Sequence, residues 1–213
     1  SKPVDPERVR RMTDAIAHRG PDGAGVWTAP GIGLGHRRLS IIDLGGGAQP
    51  MLTEDERLAL SFNGEIYNFQ ELRKELEALG HQFRTHSDSE VILEAYRAWG
   101  PKCVERLHGM FVFALYDQAN RQLLLARDRL GVKPLYHARL ADGSIIFGSE
   151  LKALLEHPAL RREPDLAMVD DYLAFGYVPD HGCIVAGVQK LAAGHFWLLT
   201  QGKAEPAPTQ FWD

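Results

Sequence analysis

The sequence predicts an α+β domain built on antiparallel sheets. Three observations predict it. Apolar runs in the second half pair up across short turn segments. Helix signals gather in separate stretches rather than alternating with single strands. The chain has 213 residues, 45% of them hydrophobic, enough for one large core.

The elements follow in order. Asp5-Pro6-Glu7 opens a helix: Asp5 caps free amides, Pro6 suits the first turn, and Glu7 favours the positive end. Val9, Met12 and Ile16 make its apolar stripe, and Gly20 is placed to end it. Residues 32–42 read as extended, broken by glycines. Gly45-Gly46-Gly47 reads as a loop and lacks the Lys-Ser/Thr that follows a phosphate cradle. Residues 58–62 read as a buried strand ending at Asn63-Gly64, a dipeptide common in turns. Asn68 is the expected cap of a second helix, with Glu71 three residues on, an apolar face of Phe69, Leu72, Leu76 and Leu79, and Gly80 at its end. Ser87-Asp88-Ser89-Glu90 repeats the capping pattern ahead of a third helix, which Gly100-Pro101 stops.

Beyond residue 109 the rhythm changes. Runs 110–116 and 121–126 flank Asp117-Gln118-Ala119-Asn120, and runs 135–140 and 144–148 flank Ala141-Asp142-Gly143; each pair reads as a hairpin. A short helix over 151–156 is stopped by His157-Pro158, a longer one spans about 166–175, and 195–200 reads as a further strand. Residues 1–200 are therefore one domain, and 201–213, with Pro206 and Pro208, an edge strand or exit linker.

Composition narrows the function classes. A formal net charge of −4 with 24% charged residues offers no basic stripe for nucleic acid. No apolar run approaches a membrane span, and the first residues have no signal-peptide core. Cys103 and Cys183 have no metal-site spacing and form no disulfide framework, and the nine histidines contain no ligand pair. A reducing cytoplasm and no metal are expected.

Three residue sets carry chemistry. Asn63-Gly64 sets a side-chain amide beside an unobstructed backbone N–H, the pair an oxyanion hole needs, although the same dipeptide also serves as a plain turn. Asp88, in the first turn of a capped helix, is expected to stay ionised and to receive a cationic amine; ordinary dipole complementarity is the alternative. Arg38, at the edge of an apolar segment, suits a two-bond clamp on a carboxylate, or else a solvated surface guanidinium. Together, a carboxylate clamp, an ammonium acceptor and an oxyanion hole describe a site for glutamine.

Ordered blocks extend this pattern: His18-Arg19-Gly20-Pro21-Asp22-Gly23, His36 to Asp43, Gln49-Pro50, Asn63 to Asn68, Ser87 to Glu90, Gly109-Met110-Phe111, Arg127 to Leu135, and Ser149 to Leu154. They cover nearly the whole chain, which resembles the glutaminase domain of glutamine-hydrolysing asparagine synthetases, a class II amidotransferase with an N-terminal nucleophile. The resemblance implies a four-layer αββα sandwich of two antiparallel sheets. It implies that Arg38 holds the glutamine α-carboxylate and that Asp88 with Glu65 receives the α-amino group. Asn63 and the Gly64 N–H would form the oxyanion hole, and backbone around Ile41 and Ile42 would help close over the substrate. Arg19 orders a loop or joins a structural ion pair, and the Arg127 to Leu135 block is scaffold. The family's chemistry does not use a histidine base, so His18 and His36 take no catalytic role.

The family's nucleophile is a Cys at the mature N-terminus, followed by a glycine-containing apolar strand. Ser1-Lys2-Pro3-Val4 does not match that strand, and the aligned blocks place the Cys about one strand's length before Ser1. A segment ahead of Ser1 carrying the Cys, its deliberate removal, or Ser1 as a weaker nucleophile are the three readings. The implied activity is hydrolysis of L-glutamine to glutamate and ammonia. The ammonia would feed ATP-dependent amidation of aspartate by a C-terminal synthetase domain of the same protein, with a homodimer as a further allowed assembly. ATP and Mg are expected only in that synthetase domain and no cofactor in this one, which has no Ser-Gly-Gly-x-Asp-Ser loop. The alternatives are a non-catalytic glutamine- or glutamate-binding or scaffold module, and the glutaminase domain of another amidotransferase such as glucosamine-phosphate synthase or a biosynthetic-cluster homologue.

Overall fold

A computed structural model describes residues 3–39 and 47–213. In chain order its elements are α1 (Pro6–Asp14), β1 (Gly23–Ala29), β2 (Ile32–Arg38), β3 (Met51–Leu52), β4 (Leu58–Ile66), α2 (Phe69–Ala78) and α3 (Asp88–Trp99). There follow β5 (Gly109–Asp117), β6 (Gln122–Arg127), β7 (Tyr136–Arg139), β8 (Ile145–Gly148), α4 (Leu151–Leu155), α5 (Leu166–Phe175), β9 (Val188–Lys190), β10 (His195–Thr200) and β11 (Thr209–Gln210).

Six strands form one antiparallel sheet in the order β3-β4-β5-β6-β10-β11. Its central strand β5 is apolar on nearly every residue because both of its faces are covered. Phe111, Phe113 and Leu115 point to one core with Leu60, Phe62 and the α2–α3 residues Leu76, Val91 and Ile92. Val112, Ala114 and Tyr116 point the other way, onto Ile32, Leu34 and Trp197. Each large apolar side chain buried in this way contributes about 1.5–3 kcal/mol. A third core joins β7, β8 and β9 to α4, with Met12 and Ile16 arriving from the α1 side. The order of layers is therefore helix, sheet, sheet, helix, the sandwich that the resemblance implied.

The second sheet layer comes in two pieces: the hairpin β1-β2, and the three strands β8-β7-β9. Helix α1 packs on β1, β2 and α4, so it ties the two pieces together from outside.

Several local expectations need correction. Strand β4 runs straight through Asn63-Gly64, with Asn63 opposite Val112 and Gly64 opposite Phe111, so the dipeptide is not a turn. A Cβ at position 64, where φ is +155°, would collide with the Met110 carbonyl oxygen, so glycine is demanded by the neighbouring strand. Asn68 does not cap α2 with its side chain; it bridges the Arg106 carbonyl and the His108 N–H, both at 3.0 Å. Helix α1 ends at Asp14, ahead of Gly20, and a 3₁₀ turn over Ala17–Arg19 follows. Strand β2 ends at Arg38; residues 40–42 of the predicted extended run, Ile41 and Ile42 among them, lie outside the described residues. By contrast α5 and β10 span the predicted residues, and Ser87 caps α3 by accepting the Ser89 N–H at 3.2 Å.

Candidate functional site

Between the two pieces of the second layer lies a cavity of about 1090 Å³. Among the described residues β2 pairs along one side, with β1, and β8 with β7 alone, and both of these strands line the cavity. Its floor is the face of the main sheet that carries Ser61, Asn63, Val112 and Ala114, and its far end meets the start of α3 at Asp88. The 3₁₀ turn spans one end, where Arg19 Nε contacts Glu150 Oε1 at 2.9 Å and His18 Nε2 contacts Glu150 Oε2 at 3.4 Å. Arg19 is thus a member of an ion pair that also borders the cavity.

The structure brings Arg38, Asn63, Gly64, Glu65 and Asp88 to this one cavity although they are spread along the sequence. Arg38 is the last residue of β2, anchored by pairing with Gly23 and by its carbonyl, which accepts the Asp22 N–H at 3.0 Å. Asn63 lies on β4 in phase with Ala59 and Ser61, which face the second layer.

The free edge of β4 defines the Gly64 donor. Phe62 N–H on this edge donates to Gln49 Oε1 at 2.7 Å, and Ile66 N–H donates to Asp88 Oδ2 at 3.0 Å. Alternate amides of a strand point to the same edge, so the Gly64 N–H points there too, between two amides already engaged. Gln49 also donates through Nε2 to Ser89 Oγ at 3.2 Å. It therefore fastens the Asn63 strand to the helix start that carries Asp88. Composition and spacing did not single out Gln49 for this role; the only signal was its place in a block shared with the family.

Electrostatics here add a burial cost to the sequence expectation. Asp88 is 5% exposed, and burial pushes its carboxyl above the ordinary 3.8, against the backbone amides of Ile66 and the helix start, with the nearby Glu65 adding to the rise. The helix N-terminus alone was expected to keep it ionised; desolvation outweighs that dipole. Two carboxylates next to one another in a partly closed cleft suit a cation. His36 on β2 is lowered to about 4 by burial first and by the Arg38 guanidinium second, so it is neutral at pH 7. Its Nδ1 lies 3.3 Å from Ser61 Oγ, which in turn donates to the Gly35 carbonyl at 3.3 Å. This pair links β2 to β4 under the site.

The two thiols lie elsewhere. Cys103 is fully buried in the helical core, where burial pushes its thiol up to about 12, and Cys183 is buried near β9; neither lines the cavity. Among the described residues, no group of three His, Cys, Asp or Glu side chains converges as a metal site, and no helix is long and apolar enough to cross a membrane.

Comparison with known proteins gives the family. The sequence profile of a family described as "Glutamine amidotransferase domain" matches residues 1–212. The chain is 40% identical over 193 residues to asparagine synthetase [glutamine-hydrolyzing] 3 of Bacillus subtilis, covering 89% of this chain and 31% of that protein. It is 47% identical over 149 residues to a probable asparagine synthetase [glutamine-hydrolyzing] of Dictyostelium discoideum, covering 70% of this chain and 27% of that one. It thus spans about a third of the length of these relatives. In fold it is similar to glutamine phosphoribosylpyrophosphate amidotransferase from B. subtilis, with a TM-score of 0.67 at 19% identity over 99% of this chain and 48% of that one.

Proposed function

Because the chain belongs to the glutamine amidotransferase domain family, we propose that it is the glutaminase part of an asparagine-synthetase-like enzyme. It hydrolyses L-glutamine to glutamate and ammonia. The observation that carries this reading is the single cavity that gathers Arg38, Asn63, Gly64, Glu65 and Asp88.

Glutamine enters with its α-carboxylate on Arg38 and its α-ammonium between Asp88 and Glu65, which orients the side-chain amide toward Asn63 and Gly64. A thiolate attacks the amide carbon. The C–S bond forms, and the oxygen takes up the electron pair against the Asn63 side chain and the Gly64 N–H. Collapse breaks the C–N bond, and ammonia leaves after taking a proton. Water then cleaves the thioester to glutamate and frees the thiol.

The thiol is assigned to a Cys on an extended segment ahead of Ser1. Pro3 and Val4 line the cavity, which supports placing such a segment beside it. Inserted between β2 and β8, it would meet on each side a strand edge that is unpaired among the described residues, and join the two pieces of the second layer. The cavity exceeds the range of about 300–1,000 Å³ usual for a small-ligand site, which leaves room for a strand as well as glutamine. The ammonia passes to a C-terminal synthetase domain that amidates aspartate, and ATP and Mg belong to that domain.

The test is glutamate release by the full-length protein and by Asn63→Ala. Loss of one oxyanion donor slows the chemical step about 10²–10³-fold. Unchanged turnover removes the role given to Asn63, and glutamine binding without any turnover by the unaltered protein favours a non-catalytic module.

A further inference from the structure

Helix α5 is the one element of eight or more residues in the described structure that packs into none of the three cores, and it has no buried residue. Its sequence, Leu-Ala-Met-Val-Asp-Asp-Tyr-Leu-Ala-Phe, is apolar on most of its circumference, a pattern that belongs to a covered helix. Leu166 is 72% exposed and Leu173 76%, with Tyr172 and Phe175 also open. The helix is held to the body at its N-terminal end: Asp165 N–H donates to the Ile184 carbonyl at 2.9 Å, and Met168 rests on Gly182.

The exposed apolar surface does not stop there. After the left-handed cap at Gly176, exposed Tyr177 leads to Asp180, which pairs with the buried guanidinium of Arg127 at 2.9 Å. Arg127 also donates to the Gly131 carbonyl at 2.8 Å, in the loop that exposes Leu130 and Val132. The same loop meets the end of the chain: Gly194 N–H donates to the Asp128 carbonyl at 2.9 Å, and the Gly194 carbonyl accepts from Phe211 and Trp212. The segment that follows α5, the Leu130–Val132 loop and the end of the chain are thus linked through Arg127, Asp128 and Gly194, and each carries large exposed apolar side chains. Exposed apolar residues at this density mark an interaction site.

We infer that α5, the Leu130–Val132 loop and Trp212 form the docking face for the polypeptide beyond Asp213. This rests on the reading above that a synthetase domain lies C-terminal to this one. Two observations choose this occupant. The relatives are about three times as long as the matched region. The chain also exits through Trp212, inside the patch, so the polypeptide beyond Asp213 is tethered beside the face and needs no free encounter.

Hydrogen exchange decides the matter. In the full-length polypeptide, amides of residues 166–177 exchange about tenfold or more slower than in residues 1–213 alone. Equal exchange overturns the inference, as does a gene that ends at Asp213. Sedimentation of residues 1–213 as a dimer with α5 already protected assigns the face to a second copy and also overturns it. Leu173→Glu with Phe175→Glu, at exposed positions, leaves the thermal transition of residues 1–213 unchanged but restores fast exchange over 166–177 in the full-length protein. Glutamate release is followed in the same samples. Release with an unprotected α5 refutes the docking face and leaves the glutaminase reading intact, whereas protection without release does the reverse.

Discussion

Two buried aspartates, one in the Arg127–Asp128 hub and one in the cleft, show how a carboxylate enclosed by its own turn differs from one that borders a cavity. Asp128 is fully buried and accepts four backbone N–H groups, from Phe111, Leu130, Val132 and Lys133, at 2.9–3.2 Å. Its neighbour Arg127 is saturated in the same way by the carbonyls of Gly131, Lys133 and Leu191 together with Asp180. Every polar capacity there is consumed by the chain's own turn. Asp88 is nearly as buried, yet beyond the amides of its own helix start it takes one backbone bond from elsewhere, the Ile66 N–H at 3.0 Å, and a long 3.5 Å contact with the Ser87 hydroxyl. It also borders an open cavity. A carboxylate that its own loop satisfies holds a fold together, whereas one that borders a cavity keeps a side open to it.

Four substitutions probe this contrast. The largest effect is expected at the hub: Asp128→Ala leaves four buried N–H groups without their acceptor and costs at least about 4 kcal/mol in denaturant unfolding. A loss under about 1 kcal/mol would show that the loop is not built on this side chain. Next comes His36. Its folded value near 4 against an ordinary 6.5 means that the folded state holds the neutral ring while the unfolded chain takes up a proton. Its contribution is complete above pH 6.5 and is lost as pH falls toward 4, by up to about 3 kcal/mol. His36→Gln removes that part of the acid sensitivity, and identical pH–stability curves for the two proteins would discard it.

Gly64→Ala follows, at about 1–3 kcal/mol, because the new methyl must push against the β5 backbone. In the full-length protein it also lowers turnover, since the donor N–H moves with the strand. The smallest stability effect belongs to Asp88→Asn, within about 1 kcal/mol, because the amide oxygen still accepts the Ile66 N–H. Burial raises the Asp88 carboxyl, so its ionisation opposes folding as pH rises above 3.8, and the neutral amide of the variant escapes that cost. Its functional effect is larger, a rise of about 10–100-fold in KM for glutamine with kcat little changed. A kcat loss with unaltered KM would move Asp88 out of the binding role.

Much of this architecture was legible in local sequence. Helix α5, strand β10, the two hairpins and the Ser87 cap follow from residues within a few positions of one another, where propensity and capping act. The errors share one cause. Asn63-Gly64 has turn chemistry, but the residues around it pair with β5, and the glycine answers the Met110 carbonyl, far along the chain. Asn68 has cap chemistry but serves His108 and Arg106. Strand β1, rich in small residues, offers little periodic signal and exists because β2 lies beside it in register.

The order of residues alone specified the fold class, the family and the candidate residues that the structure gathers at one cavity, because chemistry resides in residue types and ordered blocks preserve them. Tertiary packing established that Arg38, Gly64 and Asp88 share one cavity, that burial outweighs the helix dipole at Asp88, and that Gln49 fastens β4 to α3. Proximity, desolvation and the direction of an N–H depend on which distant segments meet, and those meetings are set by the packing of whole layers rather than by any neighbour along the chain.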